Sequence, residues 1–180
     1  MSRGRSEPHV SELDGIAVIV DDITCLEVDA VVTATDPALE IGDEVDAAIH
    51  AAAGPRLRTA CTIIGECATG DAIATPGFEL HARHVIHVVG PDWTGGDANE
   101  ATLLGSCYRR ALAIARELDC TSIALPSIAS RLPGYPKHEA CRIAIDTVRQ
   151  EIEAHQAPRQ IIFCCLTAED GELYRRTLRD

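Results

Sequence analysis

Short runs of β-branched apolar residues alternate with segments of helical periodicity along most of this chain. Ile16–Val20 and Ala30–Thr35 are runs of the kind that form buried strands, and His84–Val89 is a third. Between and after them lie amphipathic segments such as Glu100–Leu118, whose apolar residues recur at helical spacing. Strands separated by helices imply a mixed, largely parallel central sheet covered on both faces. The pattern therefore predicts a three-layer α/β/α sandwich.

The other predicted elements continue this alternation. Gly54-Pro55 separates two helical segments, because glycine ends a helix and proline favours the first turn of the next. The further predicted strands are 72–75, 122–126 and 160–166, and the further predicted helices are 44–53, 56–64, 137–154 and 169–178.

Length and charge narrow the classes of protein. With 180 residues, 46% of them hydrophobic, the chain suits one well-cored domain. We expect residues 1–14 to form a flexible tail and 15–180 a single domain. The net charge of -12 argues against nucleic acid or an anionic membrane as a partner, since both require a basic patch. No apolar run reaches the ~20 residues that span a bilayer.

Eight cysteines stand at positions 25, 61, 67, 107, 120, 141, 164 and 165, without a Cys-x-x-Cys pair. Most lie in strand or helix patterns beside aliphatic residues, which is typical of reduced core cysteines in a cytoplasmic protein. Their spacing matches no zinc site, and we expect neither a metal nor a cofactor. His50, His84 and His87 also lie on apolar elements and are predicted to be packed or partly buried.

Two strand-to-helix junctions are the predicted ligand loops, Thr35–Val45 and Ile128–Lys137. Ligands of open α/β sheets bind at the carboxyl ends of strands, where loops lead into helix N-termini. The free N–H groups and the dipole at such a terminus favour an anion.

Several short segments follow one another in a fixed order around these junctions. They are Asp22-Ile23-Thr24, Val28-Asp29-Ala30, Val45-Asp46, Ile49-His50, Ala52-Ala53-Gly54-Pro55, His87-Val88-Val89-Gly90-Pro91 and Gly134-Tyr135-Pro136-Lys137. This order and spacing resembles the macrodomain family, closest to the branch that removes acyl or ADP-ribosyl groups from ADP-ribose. The resemblance extends from about Ile16 to Leu178.

The resemblance implies roles for three acidic residues. Asp22, with Ile23, corresponds to the reader of the adenine amino group, and a carboxylate suits this task because it only accepts hydrogen bonds. Asp46 corresponds to the residue that positions or deprotonates the attacking water beside the distal ribose. Asp36, ten residues earlier, takes the place of the ribose-binding Asn and is the second candidate catalytic residue. Two of these residues also have a purely structural alternative: Asp22 caps a turn, and Asp46 stabilises a helix dipole.

Both loops depart from the family pattern. Thr35, Gly42 and Val45 are the expected contacts of the first loop, but Asp43 and Glu44 replace glycines of the family's glycine run. In the second loop the expected contacts are Ser130, Arg131, Leu132, Gly134 and Tyr135. Ala129 lacks the hydroxyl found in relatives and Arg131 replaces a glycine, although a guanidinium can pair with phosphate.

Three functions remain open at this stage. The resemblance implies a metal-independent hydrolase of O-acetyl-ADP-ribose or of mono-ADP-ribosyl groups, with an ADP-ribosylated protein as a possible partner. A non-catalytic binder of ADP-ribose or a related nucleotide is the second. The departures in the two loops favour a third, a divergent interaction module that has lost this ligand.

Overall fold

The computed structural model describes residues 11–13, 15–40, 42–128 and 134–180. In this part of the chain, seven strands form one sheet in the order β1-β2-β7-β6-β3-β5-β4. The strands are β1 Ser11–Leu13, β2 Ile16–Val20, β3 Ala30–Thr35, β4 Ala72–Pro76, β5 His84–Val89, β6 Ser122–Pro126 and β7 Gln160–Cys165. The helices are α1 Glu44–Ala53, α2 Pro55–Ile64, α3 Glu100–Glu117, α4 Lys137–His155 and α5 Ala168–Arg179.

The five central strands are parallel, and an antiparallel strand lies at each edge. β2, β7, β6, β3 and β5 pair in parallel, whereas β1 pairs antiparallel with β2 and β4 antiparallel with β5. The carboxyl ends of the five parallel strands therefore meet at one edge of the sheet.

Successive residues of the central strands point into two separate cores. On β3, Val32 and Ala34 pack in the core under α3, α4 and α5, whereas Val31 packs in the core under α1 and α2. Because strand side chains alternate between faces, one apolar strand can contribute to both cores. The three-layer α/β/α prediction is confirmed.

A short strand, Ser11–Leu13, lies within the segment 1–14 that we expected to be a flexible tail. These residues form β1, with Ser11 opposite Val18 and Leu13 opposite Ile16. The outer edge of β2 presents unpaired main-chain groups, and β1 covers them. The pairing uses backbone atoms, so the polar sequence Ser-Glu-Leu gives little sign of it.

The cysteines are free thiols, and seven of the eight are buried, as predicted, with Cys25 the exposed exception. Burial raises the pKa of Cys107, Cys164 and Cys165 to about 12, which keeps these thiols protonated and unreactive. In the part of the chain that the structure describes, no helix combines the length and the apolar character that crossing a membrane requires.

Candidate functional site

A groove runs along the edge of the sheet where the parallel strands end. It consists of three cavities that share lining residues, here named the outer, central and inner compartments. The outer compartment, about 290 Å³, and the central compartment, about 370 Å³, share Glu44, Val45, Cys164 and Leu166. The inner compartment, about 190 Å³, adjoins the central one at Ala34.

The outer compartment is lined by apolar side chains together with Asp21, Asp22 and Glu44. Val20 and Leu166 are 38% and 52% exposed, which leaves apolar surface open to a flat ligand. Asp22 and Ile23 line the same compartment, as the resemblance implied. Asp22 Oδ1 accepts hydrogen bonds from Thr24 N–H (2.9 Å) and Thr24 Oγ1 (2.7 Å), so Asp22 also caps the turn at Ile23–Cys25.

The central compartment lies at the N-terminus of α1 and carries three carboxylates. Asp43 caps α1, its Oδ1 accepting from Asp46 N–H at 3.0 Å, and Glu44 is exposed beside it. Asp170 is largely buried and pairs with Lys137 Nζ at 3.0 Å. A carboxylate about 6 Å from a phosphate charge costs about 2.8 kcal/mol at an effective dielectric of about 20. The N-terminus of α1 therefore favours binding of an anion in this compartment, whereas the three carboxylates disfavour it.

The inner compartment is lined by two exposed carboxylates, Asp36 and Asp92, together with small residues, threonines and Ile128. Asp36 Oδ1 accepts from Glu40 N–H at 2.9 Å, an exposed hydrogen bond that shapes the first loop. Asp92, after the end of β5, lines the same cavity together with Thr35 and Gly42. Thr35 Oγ1 is itself engaged, donating to Glu40 O at 2.7 Å.

Asp46 lies beneath the groove and does not line any of the three compartments. Its side chain is fully buried. Oδ1 accepts from Thr33 Oγ1 at 2.7 Å, and Oδ2 accepts from Gly42 N–H at 2.8 Å. A buried carboxylate with both oxygens engaged fixes the first loop to β3, so the two predicted catalytic residues, Asp46 and Asp36, occupy different environments.

The remaining predicted contacts divide into three groups. Val45 and Gly42 line the groove. Tyr135 is buried against Trp93, and Gly134 also lies beside Trp93; neither residue lines a compartment. Ser130, Arg131 and Leu132 lie outside the described residues.

Sequence reasoning missed two carboxylates of the groove, Asp92 and Asp170. Asp92 follows the central strand β5, and Asp170 lies in the first turn of α5 after β7. Both therefore occupy the carboxyl edge of a parallel sheet, the position that the rule for α/β ligand sites identifies. If the residues after every predicted parallel strand are considered, and not only the two junctions, Asp92 and Asp170 are identified as candidates from the sequence.

The histidines occupy packed positions. His87 is buried and its Nε2 lies 3.0 Å from Thr75 Oγ1. Desolvation lowers the pKa of His87 to about 3, so the ring is neutral. Desolvation also lowers the pKa of His50, against the opposing effect of Asp46.

Comparison with known proteins places this architecture in a family. The Macro domain family model matches residues 32–144. A macro domain-containing protein of Mesorhizobium japonicum is 46% identical over 166 residues, which cover 92% of this chain and 94% of that protein. An O-acetyl-ADP-ribose deacetylase of Salmonella typhimurium is 45% identical over 167 residues, covering 91% and 93%.

A solved structure agrees at the level of the backbone. The Oceanobacillus iheyensis macrodomain with ADP superimposes with a TM-score of 0.88 at 33% identity, covering 96% of this chain and 95% of that one. The chain therefore belongs to the macro domain family.

Proposed function

We propose that this macrodomain binds ADP-ribose derivatives along the groove and hydrolyses O-acetyl-ADP-ribose or mono-ADP-ribosyl groups. The observation that carries the proposal is the linear order of the three compartments. A partly apolar pocket that carries Asp21, Asp22 and Glu44, a helix N-terminus and a polar pocket follow one another, as base, diphosphate and distal ribose do in ADP-ribose. A relative of similar length that is named O-acetyl-ADP-ribose deacetylase supports the same reaction.

Each part of the ligand meets a matching surface. In the proposed pose the adenine packs between Val20 and Leu166, and its amino group donates to Asp22. The diphosphate takes the central compartment, where the N-terminus of α1 supplies N–H dipoles. The distal ribose enters the inner compartment, where Asp36 accepts hydrogen bonds from its hydroxyls.

The proposed reaction is attack of water on the ester or glycosidic carbon beside the distal ribose. For O-acetyl-ADP-ribose, the water oxygen bonds to the acetyl carbon, the ester C–O bond breaks, and acetate and ADP-ribose leave. A carboxylate takes the water proton and returns it to the departing ribose oxygen. Asp36 is the exposed candidate for this role, whereas Asp46 orients the loop through Thr33 and Gly42.

A second function is favoured by one observation, the acidic lining of the central compartment. Asp43, Glu44 and Asp170 all line it, and such charges weaken a diphosphate ligand. A domain that only binds a nucleotide weakly, or an interaction module that has lost ADP-ribose, fits this lining. The buried, reduced cysteines support a cytoplasmic protein, and an ADP-ribosylated protein is the macromolecular substrate that we propose.

Calorimetry with ADP-ribose, followed by turnover of O-acetyl-ADP-ribose, tests this proposal. We expect binding by the wild type, and a fall in kcat of about 10²-fold in Asp36→Ala, because general-base catalysis typically contributes at least this much. Asp46→Asn should lower both affinity and kcat, since it removes a buried acceptor from Thr33 or Gly42. Asp146→Asn, on the exposed face of α4 and outside the groove, is the matched control.

Two results contradict the proposal separately. If calorimetry detects no heat of binding at millimolar ADP-ribose, both the binder and the hydrolase are excluded. If the wild type binds ADP-ribose but turns over O-acetyl-ADP-ribose no faster than Asp36→Ala, the protein is a binder and the hydrolase is excluded.

A further inference from the structure

The loop between β5 and α3 is built around one buried carboxylate. Glu100 Oε1 accepts from Thr94 N–H (3.0 Å), Thr94 Oγ1 (2.8 Å) and Gly96 N–H (3.1 Å), and Oε2 accepts from Ala98 N–H (2.7 Å). Hydrogen bonds from its own backbone N–H, and from Thr94 and Ala98, lower the pKa of Glu100 to about 2. The loop, which contains Gly95 and Gly96, is therefore fixed by a carboxylate that stays ionised at neutral pH.

This fixed loop presents Trp93 to the turn that precedes α4. The rings of Trp93 and Tyr135 are 4.5 Å apart between centroids. A Cβ added at Gly134 would lie 3.2 Å from Trp93 Cδ1, and one added at Gly96 would lie 3.2 Å from Trp93 Cη2. Gly134 has a φ of +81°, a conformation that side chains rarely adopt. The indole thus fills the space between its own loop and the Gly134–Tyr135 turn.

The same loop forms part of the groove. Asp92, directly before Trp93, lines the inner compartment together with Gly90. On the other side of the indole, Tyr135 is buried and leads through Pro136 into α4. Movement of Trp93 would therefore shift Asp92 and the Gly134–Tyr135 turn relative to each other.

We propose that Trp93 is a positioning residue for the inner compartment: held by the loop that Glu100 organises, it fixes the Gly134–Tyr135 turn against the wall that carries Asp92. The ligand part of this inference rests on the function proposed above, because the inner compartment is where the distal ribose is placed. Trp93 itself lines none of the three compartments, so it acts through its neighbours.

The first experiment needs no ligand. Trp93 is the single tryptophan of the chain, so all tryptophan emission of the full-length protein comes from it. Glu100→Gln replaces an acceptor oxygen with a donor, and we expect it to raise acrylamide quenching of that emission about twofold, since loss of local hydrogen bonds exposes the loop. Glu117→Gln changes an exposed residue of the same helix and should leave quenching at the wild-type value. Equal quenching in Glu100→Gln and wild type overturns the inference that Glu100 holds Trp93.

The second experiment measures ADP-ribose affinity by calorimetry and KM for O-acetyl-ADP-ribose. Trp93→Phe keeps an aromatic ring against Tyr135 and should bind within about twofold of wild type, whereas Trp93→Ala should bind about tenfold more weakly. Rescue by the aromatic residue separates positioning from a general loss of stability. If Trp93→Ala does not fold, Trp93→Leu provides the same comparison.

The outcomes are distinct for the two proposals. Wild-type affinity in Trp93→Ala overturns the positioning role while leaving the proposed function intact. Absence of ADP-ribose binding by the wild type overturns the proposed function and the ligand role of Trp93 together, and the quenching comparison still decides how the loop is held.

Discussion

The carboxylates around the groove are held in different ways, and the way each is held decides how it affects a bound anion. Asp46 is buried, and both of its oxygens accept hydrogen bonds. Asp170 is paired with Lys137, which offsets its charge. Glu44 is exposed and lines both the outer and the central compartments. Of these three carboxylates, Glu44 should repel a bound diphosphate most, because its charge is the least offset by hydrogen bonds or a salt bridge.

Glu44→Gln is therefore predicted to strengthen binding of ADP-ribose. Removing one charge at about 6 Å at an effective dielectric of about 20 removes up to about 2.8 kcal/mol of repulsion, which screening and side-chain movement reduce to a gain of about tenfold. Calorimetry at low and at high salt measures it, and the gain should shrink as salt rises. Glu153→Gln, exposed near the end of α4, removes the same charge at a distance and should change affinity little. Equal affinity in Glu44→Gln and wild type would mean that the diphosphate lies elsewhere.

At the scale of elements, the sequence predicts those parts of the fold whose signal is local. β2, β3 and β5 are apolar runs, and α3 shows its buried stripe in its periodicity, so their bounds follow to within a residue. β1 could not be found in this way, because main-chain pairing with β2 holds it. The burial of Asp46 also escapes sequence reasoning, since it depends on Thr33, thirteen residues away, and on the path of the loop through Gly42.

The packing of α5 on β2 gives a prediction at this scale. A Cβ at Gly171 would lie 2.5 Å from Val20 Cγ2, whereas the nearest atoms to a Cβ at Gly105 in α3 are 3.4 Å away. Alanine normally stabilises a helix interior by about 1 kcal/mol relative to glycine. We expect Gly105→Ala to raise the free energy of unfolding and Gly171→Ala to lower it by about 1–3 kcal/mol, because overpacking displaces the neighbour.

Urea unfolding of the two glycine variants, side by side, measures this difference. Val20 also lines the outer compartment, so Gly171→Ala should weaken ADP-ribose binding and Gly105→Ala should not. Equal stabilisation by both substitutions would show that α5 can move away from β2 without cost.

At the scale of the whole molecule, both buried histidines of the described residues, His50 and His87, lie on the side of the sheet under α1 and α2. The core under α3, α4 and α5 contains aliphatic, aromatic and cysteine side chains, with Thr147 and Asp170 buried on the same side. The side of the sheet under α1 and α2 also contains His87, whose Nε2 lies 3.0 Å from Thr75 Oγ1 and 4.0 Å from Cys61 Sγ. The His50 and His87 rings lie 6.4 Å apart, so a proton on either ring opposes one on the other. This half of the molecule is therefore sensitive to acid.

Stability should fall as the pH drops below the ordinary range of histidine. Desolvation lowers the pKa of His87 from 6.5 to about 3 in the folded chain, so between these values the unfolded chain binds a proton that the folded chain does not. Stability from this group is present above the unfolded pKa and is lost as pH falls, by about 2 kcal/mol between about pH 8 and about pH 5. His50, whose pKa desolvation also lowers, adds to the loss in the same direction.

Urea unfolding of wild type, His87→Gln and His81→Gln at both pH values tests this. His87→Gln cannot take up the proton, so its free energy of unfolding should change less with pH than that of the wild type, with the remainder due to His50 and other groups. His81 is exposed, and its replacement should leave the wild-type pH dependence in place. The same pH dependence in all three proteins would mean that groups other than His87 cause the loss of stability in acid. It would also mean that the side of the sheet under α1 and α2 tolerates a protonated His87.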